Sequence, residues 1–156
     1  MTLYLVRHAK AGVRSKWQGP DELRPLSDRG HRQATKLARA IVDDAGKHPL
    51  GPVVSSPYVR CVQTVEPLAQ RIGEAVEVTD VLAEGARLGP AMRLLEKHAD
   101  RWAVLCLHGD LLPAILLTLQ ERDLALPHDR VEKGSVWALD YARGDVRRIR
   151  YFPPPG

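Results

Sequence analysis

Cysteine, aromatic residues and long apolar runs are all scarce in this chain of 156 residues, and each scarcity excludes a class of protein. Two cysteines cannot build a disulfide framework. No Cys/His spacing suits a zinc site. Cys106 lies in an apolar run and is expected to be a small core residue, while Cys61 is expected to be partly exposed beside Arg60. With one Phe and aromatics at 5%, the core has to be built from Leu, Val, Ile and Ala. No apolar run reaches membrane-spanning length, and no charged N-terminal region leads into a long apolar one, so no signal peptide is expected. No Lys/Arg block interleaved with aromatics is present, which disfavours nucleic acid as a partner. A reducing cytoplasm is the expected location.

What is present is ordinary in bulk. Apolar residues make up 44% and charged residues 27%, as in a globular protein, and the length suits one domain with a real core. The net charge of +4 suits either an anionic partner or a solvated surface rich in Arg.

Leu3-Tyr4-Leu5-Val6-Arg7 reads as a strand buried on both faces, because it has no polar side. Residues 8–26 read as a long, basic loop of the kind that carries function. Ser27 is a good N-cap for a helix whose apolar stripe runs from Ala34 to Ala45. Residues 52–55 form a short strand. Ser56 then reads as an N-cap with Pro57 at the first helical position, and Pro67 predicts a kink or break in that helix. Residues 76–78 read as an edge strand, 79–89 as a loop, 90–99 as a helix and 103–107 as a third apolar strand. Asp110 is placed to cap a deeply buried helix. Residues 136–141 and 146–151 read as a hairpin turning at 142–145. Residues 1–152 are expected to form a single domain, with 153–156 as a frayed Pro-rich tail.

Strands alternating with helices point to an α/β sandwich with a mostly parallel central sheet flanked by helices. Ligands in such sheets gather beyond the C-terminal strand ends. Arg7-His8 and His108 both sit at such ends, and Arg60 sits near the start of a helix that follows another.

Those residues suit phosphoryl chemistry. The planar forks of Arg7 and Arg60 pair with phosphate oxygens. A neutral His8 imidazole can attack phosphorus and split hydrolysis into two easier steps. His108 is a second donor to the phosphoryl oxygens, and Glu84 is the candidate general acid. Two arginines and a histidine already supply positive charge, so no metal and no other cofactor is expected. Lys10, Arg14, Lys16 and Arg24 are candidates for binding further phosphates.

The motifs together resemble the histidine phosphatase superfamily, the phosphoglycerate-mutase-like proteins with an RHG motif. Leu5-Val6-Arg7-His8-Ala9 is similar to the signature, with Ala9 where many members have Gly. Leu26-Ser27-Asp28-Arg29-Gly30-His31-Arg32-Gln33-Ala34 resembles the family's helix start. Ser55-Ser56-Pro57-Tyr58-Val59-Arg60 through Thr64 resembles its Ser-x-x-x-Arg block, and Leu107-His108-Gly109 its second-histidine motif. The resemblance implies a three-layer phosphoglycerate-mutase-like fold, a phosphate pocket of Arg7, His8, Arg60 and His108, and phosphorylation of His8 in turnover. The short length resembles the small SixA-like branch, and the loop from Arg7 to Leu26 is similar to the phosphatase domain attached to actinobacterial MutT-type Nudix hydrolases. The expectation is a bacterial, metal-independent phosphatase acting on a phosphate ester, nucleotide or phosphoprotein. A phosphohistidine protein phosphatase of SixA type and a non-catalytic phosphate-binding module are the alternatives.

Overall fold

A computed structural model describes residues 1–156. Six strands form one sheet in the order β3-β2-β4-β1-β5-β6. β1 (Thr2–Arg7), β2 (Val53–Ser55), β3 (Val76–Val78) and β4 (Val104–Leu107) run parallel. β5 (Val136–Ala142) and β6 (Asp145–Phe152) are the expected hairpin and add antiparallel to the β1 side.

The apolar run of β1, Leu3 to Val6, is explained by its neighbours. Successive strand side chains point to opposite faces. Leu3 and Leu5 enter a core shared with Leu95 of α3 (Leu88–Lys97) and Ile115 of α4 (Leu111–Gln120). Tyr4 and Val6 enter the opposite core, with Ile41 of α1 (Asp28–Ala45) and Leu68 of α2 (Val59–Ile72). Helices therefore cover both faces, giving the expected three-layer α/β sandwich.

Local chemistry sets the helix ends. Ser27 caps α1, its hydroxyl accepting from the Gly30 N–H at 3.1 Å. Ser56 does not cap α2. Its hydroxyl accepts from the Tyr58 N–H at 3.2 Å, forming a turn that delays the helix to Val59. The expected break at Pro67 does not occur: α2 runs on to Ile72, with Val65, Leu68 and Ala69 buried. Asp110 does not cap α4 either. Its backbone is already helical, and its carboxylate accepts from the Gly85 N–H at 2.7 Å.

One further expectation is corrected. Cys61 is fully buried, because it lies on the sheet-facing side of α2. The loop after β1 is organised by two 3-10 turns, Arg14–Lys16 and Asp21–Leu23, and by a bridge between Ala11 and Leu26. In the tail, the Pro155 carbonyl accepts from Gln33 and the Gly156 carbonyl from Lys36, both on α1.

Parallel pairing brings one set of strand ends together. Arg7 is in register with Leu107, and Ser55 with Cys106, so His8, His108 and Ser56 emerge from three adjacent strands at one edge.

Candidate active site

His8 leaves β1 and turns inward, where it is 5% exposed. Its Nδ1 lies 2.8 Å from the Ala9 carbonyl oxygen. A carbonyl only accepts, so Nδ1 carries the proton and Nε2 keeps its lone pair. Burial is the main reason that the imidazole is pushed down to about 3; His108, Arg60 and Arg7 act in the same direction, and the Ala9 bond opposes them. His8 is therefore neutral near pH 7, as a nucleophile has to be.

Arg7 donates through Nη1 to the Val131 carbonyl at 2.5 Å, while its Nε is buried without a partner. Its guanidinium lies flat on Gly109, where an added Cβ would fall 2.5 Å from Cζ. Burial holds Arg7 below the ordinary arginine range, against the opposing fields of Asp110 and Glu84.

Arg60 is completely buried in the first turn of α2. Nη1 donates to the Asp21 carbonyl at 2.8 Å and Nη2 to the Asp21 carboxylate at 2.9 Å, leaving Nε without a partner. The Arg60 guanidinium also packs over the Tyr58 ring, 4.9 Å from its centroid.

His108 stands behind His8 rather than on the cavity wall, the two ring centroids 5.4 Å apart. Its Nε2 is 2.8 Å from Ser56 Oγ, and its buried Nδ1 has no partner. Three buried polar atoms thus lack partners, and they belong to Arg7, Arg60 and His108. Native proteins rarely leave such groups unpaired, and an anion is the partner that two guanidiniums demand.

The motif residues outside this cluster hold it in place. Thr64 Oγ1 accepts from the Ala9 N–H at 2.9 Å and donates to the Arg60 carbonyl at 2.6 Å, tying β1 to α2. Gln33 accepts from the Lys10 N–H and Gln63 from the Leu26 N–H, fixing the two ends of the long loop.

The cluster opens into a cavity of about 580 Å³. Glu84 lines it, 3.6 Å from Arg60 and 3.4 Å from Arg14. The Asp110 to Gly85 bond fastens the Glu84 loop there. Lys10 lines the cavity and Lys16 does not. Arg24 reaches the wall, but its groups are spent on Asp21 at 3.0 Å and the Gly12 carbonyl at 2.6 Å, so it clasps the loop. Asp21 and Lys133 were not singled out from sequence. Lys133 lies in an irregular segment with no motif around it, and Asp21 reads there as one acid of a mixed-charge loop.

A cavity of about 490 Å³ between α3, α4 and the hairpin contains none of these residues. No helix is long and apolar enough to cross a membrane.

The chain is 32% identical over 99% of its length to the 8-oxo-(d)GTP phosphatase of Mycolicibacterium smegmatis, and it spans 48% of that protein. A SixA phosphohistidine phosphatase candidate from Agrobacterium tumefaciens superposes with a TM-score of 0.77 at 26% identity, covering 98% of each chain. The protein histidine phosphatase SixA bound to tungstate shares the fold, with a TM-score of 0.74 at 18% identity over 97% of this chain and 94% of that one. The model of the histidine phosphatase superfamily (branch 1) matches residues 3–89, and the chain belongs to that superfamily.

Proposed function

We propose that His8 is the nucleophile of a metal-independent phosphatase whose phosphate pocket is made by Arg7, Arg60 and His108. As a phosphatase of the histidine phosphatase superfamily, the protein works through a phosphohistidine. The observation that carries the residue assignment is the His8 ring: Nδ1 is tied to the Ala9 carbonyl, which leaves Nε2 free beside the guanidiniums of half-buried Arg7 and buried Arg60, whose buried Nε groups are unpaired.

In this reading Arg7 and Arg60 neutralise the phosphoryl oxygens, and His108, which stands behind His8, donates from its unpartnered Nδ1 once the phosphoryl group has passed the cavity wall to the His8 ring. Nε2 attacks phosphorus, and the bond to the leaving oxygen breaks. Glu84, on the cavity wall, protonates that oxygen and then takes a proton from the water that attacks the phosphohistidine. The second step releases inorganic phosphate and restores Nε2.

The substrate is a phosphorylated small molecule or nucleotide. The 8-oxo-(d)GTP phosphatase relative supports a nucleotide. A phosphohistidine on a protein is the second reading, supported by the full-length match to the SixA candidate.

The test is phosphate release from nucleotides, sugar phosphates, an aryl phosphate and a phosphohistidine protein, with His8→Ala beside the wild type. Rapid acid-free quenching should trap labelled phosphate on the wild type and none on His8→Ala. Tight phosphate binding with no turnover in either protein would instead make this a binding module. Chelation with EDTA should leave turnover unchanged, because the arginines supply the positive charge.

A further inference from the structure

We infer that Lys10 and Lys133 form a second anion subsite beside the His8 pocket, and that the substrate is a phosphoanhydride of the nucleoside diphosphate type. Its terminal phosphoryl group sits at His8 and the next one between the two lysines. This rests on the phosphatase reading above and names its substrate class.

Charge balance is the first argument. Six cationic side chains line the cavity, against the carboxylates of Glu84 and Asp110. A phosphomonoester carries about two negative charges near neutral pH, which Arg7 and Arg60 already match. Arg14, Arg24 and Arg60 reach Asp21 or Glu84. The Lys10 and Lys133 ammonium groups have no protein acceptor, so the cavity keeps positive charge that a monoester does not use.

Position is the second. Lys10 and Lys133 also line a neighbouring cavity of about 450 Å³, bounded by Arg29, Gln33 and the tail from Pro153. They are the wall that the two cavities share, where a ligand occupying both would cross.

Backbone anchoring is the third. The Lys10 carbonyl accepts from the Ser27 N–H and hydroxyl at 3.0 and 3.1 Å, and the Lys10 N–H donates to Gln33. Next to Lys133, the Gly134 N–H donates to the Arg7 and His8 carbonyls at 3.1 and 3.0 Å. Gly134 holds φ at +84°, which glycine adopts without strain. Both lysines therefore rise from backbone clamped to the segment that carries the nucleophile. Desolvation holds the Lys133 ammonium below the ordinary lysine range, and the fields of Arg7, Arg24, Arg14 and Arg60 add to it. An anion beside it would relieve that repulsion.

The chemistry balances with water as the only co-reactant. His8 Nε2 bonds to the terminal phosphorus, and the bond from phosphorus to the bridging oxygen breaks. The electron pair leaves on the shortened phosphate, whose charge Lys10 and Lys133 stabilise. Water then cleaves the phosphohistidine to inorganic phosphate and free imidazole.

The test measures kcat/KM for GDP, inorganic pyrophosphate and p-nitrophenyl phosphate with the wild type and with Lys10→Met/Lys133→Met. Both lysines are exposed, so the variant should fold, and its melting curve checks this. The wild type should prefer an anhydride to the aryl ester. The anhydride-to-aryl ratio should fall about 30-fold in the double variant, chiefly through KM. Turnover of GDP but not pyrophosphate supports the subsite and adds a nucleoside requirement, and turnover of both supports it for the diphosphate itself. Aryl phosphate turnover with an unchanged ratio, or with no anhydride preference, overturns the subsite and leaves the phosphatase reading standing. No release from any of the three overturns the subsite, and no release from a phosphohistidine protein either overturns the phosphatase reading as well.

Discussion

Asp21 holds Arg60 at two points, its carbonyl taking Nη1 at 2.8 Å and its carboxylate taking Nη2 at 2.9 Å. The second carboxylate oxygen takes Arg24 Nε at 3.0 Å. An acid from the loop after β1 therefore sets the angle at which a buried guanidinium from α2 enters the proposed phosphate pocket.

Removing one charge should loosen that angle. Asp21→Asn keeps the carbonyl contact but turns an amide N–H₂ toward one of the two guanidiniums. We expect kcat to fall about tenfold, with KM changing less, since the loss is one charge-assisted bond. Steady-state kinetics with an aryl phosphate checks this. A change in KM alone would make Asp21 a substrate-binding residue instead of a positioning one.

Arg60→Ala should lower kcat/KM by about a hundredfold or more, the scale of losing one donor to a developing oxyanion. Lys16→Ala should stay within about twofold, because Lys16 does not line the cavity. Equal effects of the two substitutions would move the site away from the cavity described above.

His8 should make the fold acid-sensitive. An unfolded imidazole takes up its proton near pH 6.5, whereas burial delays uptake in the fold to about 3. Between those values the unfolded chain binds more protons, so stability rises with pH through the window and is complete above it. Going from pH 7 to pH 4 should cost on the order of 3 kcal/mol through this residue. Urea unfolding at the two pH values should show that loss in the wild type and a smaller one in His8→Gln. The same pH dependence in both proteins would mean that His8 is charged in the folded state.

Gly109→Ala places a Cβ 2.5 Å from Arg7 Cζ, with Nη2 at 2.6 Å. Arg7 has to move, which strains its Nη1 bond to the Val131 carbonyl. Activity should fall about a hundredfold while circular dichroism stays native. Wild-type turnover in Gly109→Ala would show that Arg7 does not need this position.

Gly30→Ala sets two effects against each other. Alanine in a helix gains up to about 1 kcal/mol over glycine. The new Cβ would fall 1.9 Å from the Lys10 carbonyl oxygen, which is backbone and cannot rotate away. Overpacking of this kind costs about 1–3 kcal/mol or more, so the clash wins and thermal unfolding should move to lower temperature. A more stable variant would mean that the loop yields easily at Lys10.

Much of the fold can be read from local pattern. β1 from Leu3 to Val6 and the whole of β4 are apolar because helices cover both of their faces, and α1 is marked by its Ser27 cap and its stripe from Ala34 to Ala45. The parallel pairing implied by alternating strands and helices is enough to place Arg7, His8 and His108 at one edge. Side-chain chemistry then points to phosphate. These features repeat at fixed spacing or depend on residue type alone, so the sequence by itself determines them.

Partner choice is different. Ser56 reads as a cap, but its hydroxyl meets His108, 52 residues away. Asp110 reads as a cap and instead ties down the Glu84 loop, 25 residues back at Gly85. Asp21 meets Arg60 across 39 residues, and Lys133 is brought to the site by the Gly134 bonds to β1. Only the tertiary structure decided these, because a polar group pairs with whatever the packed core carries into reach, and no local spacing encodes that distance.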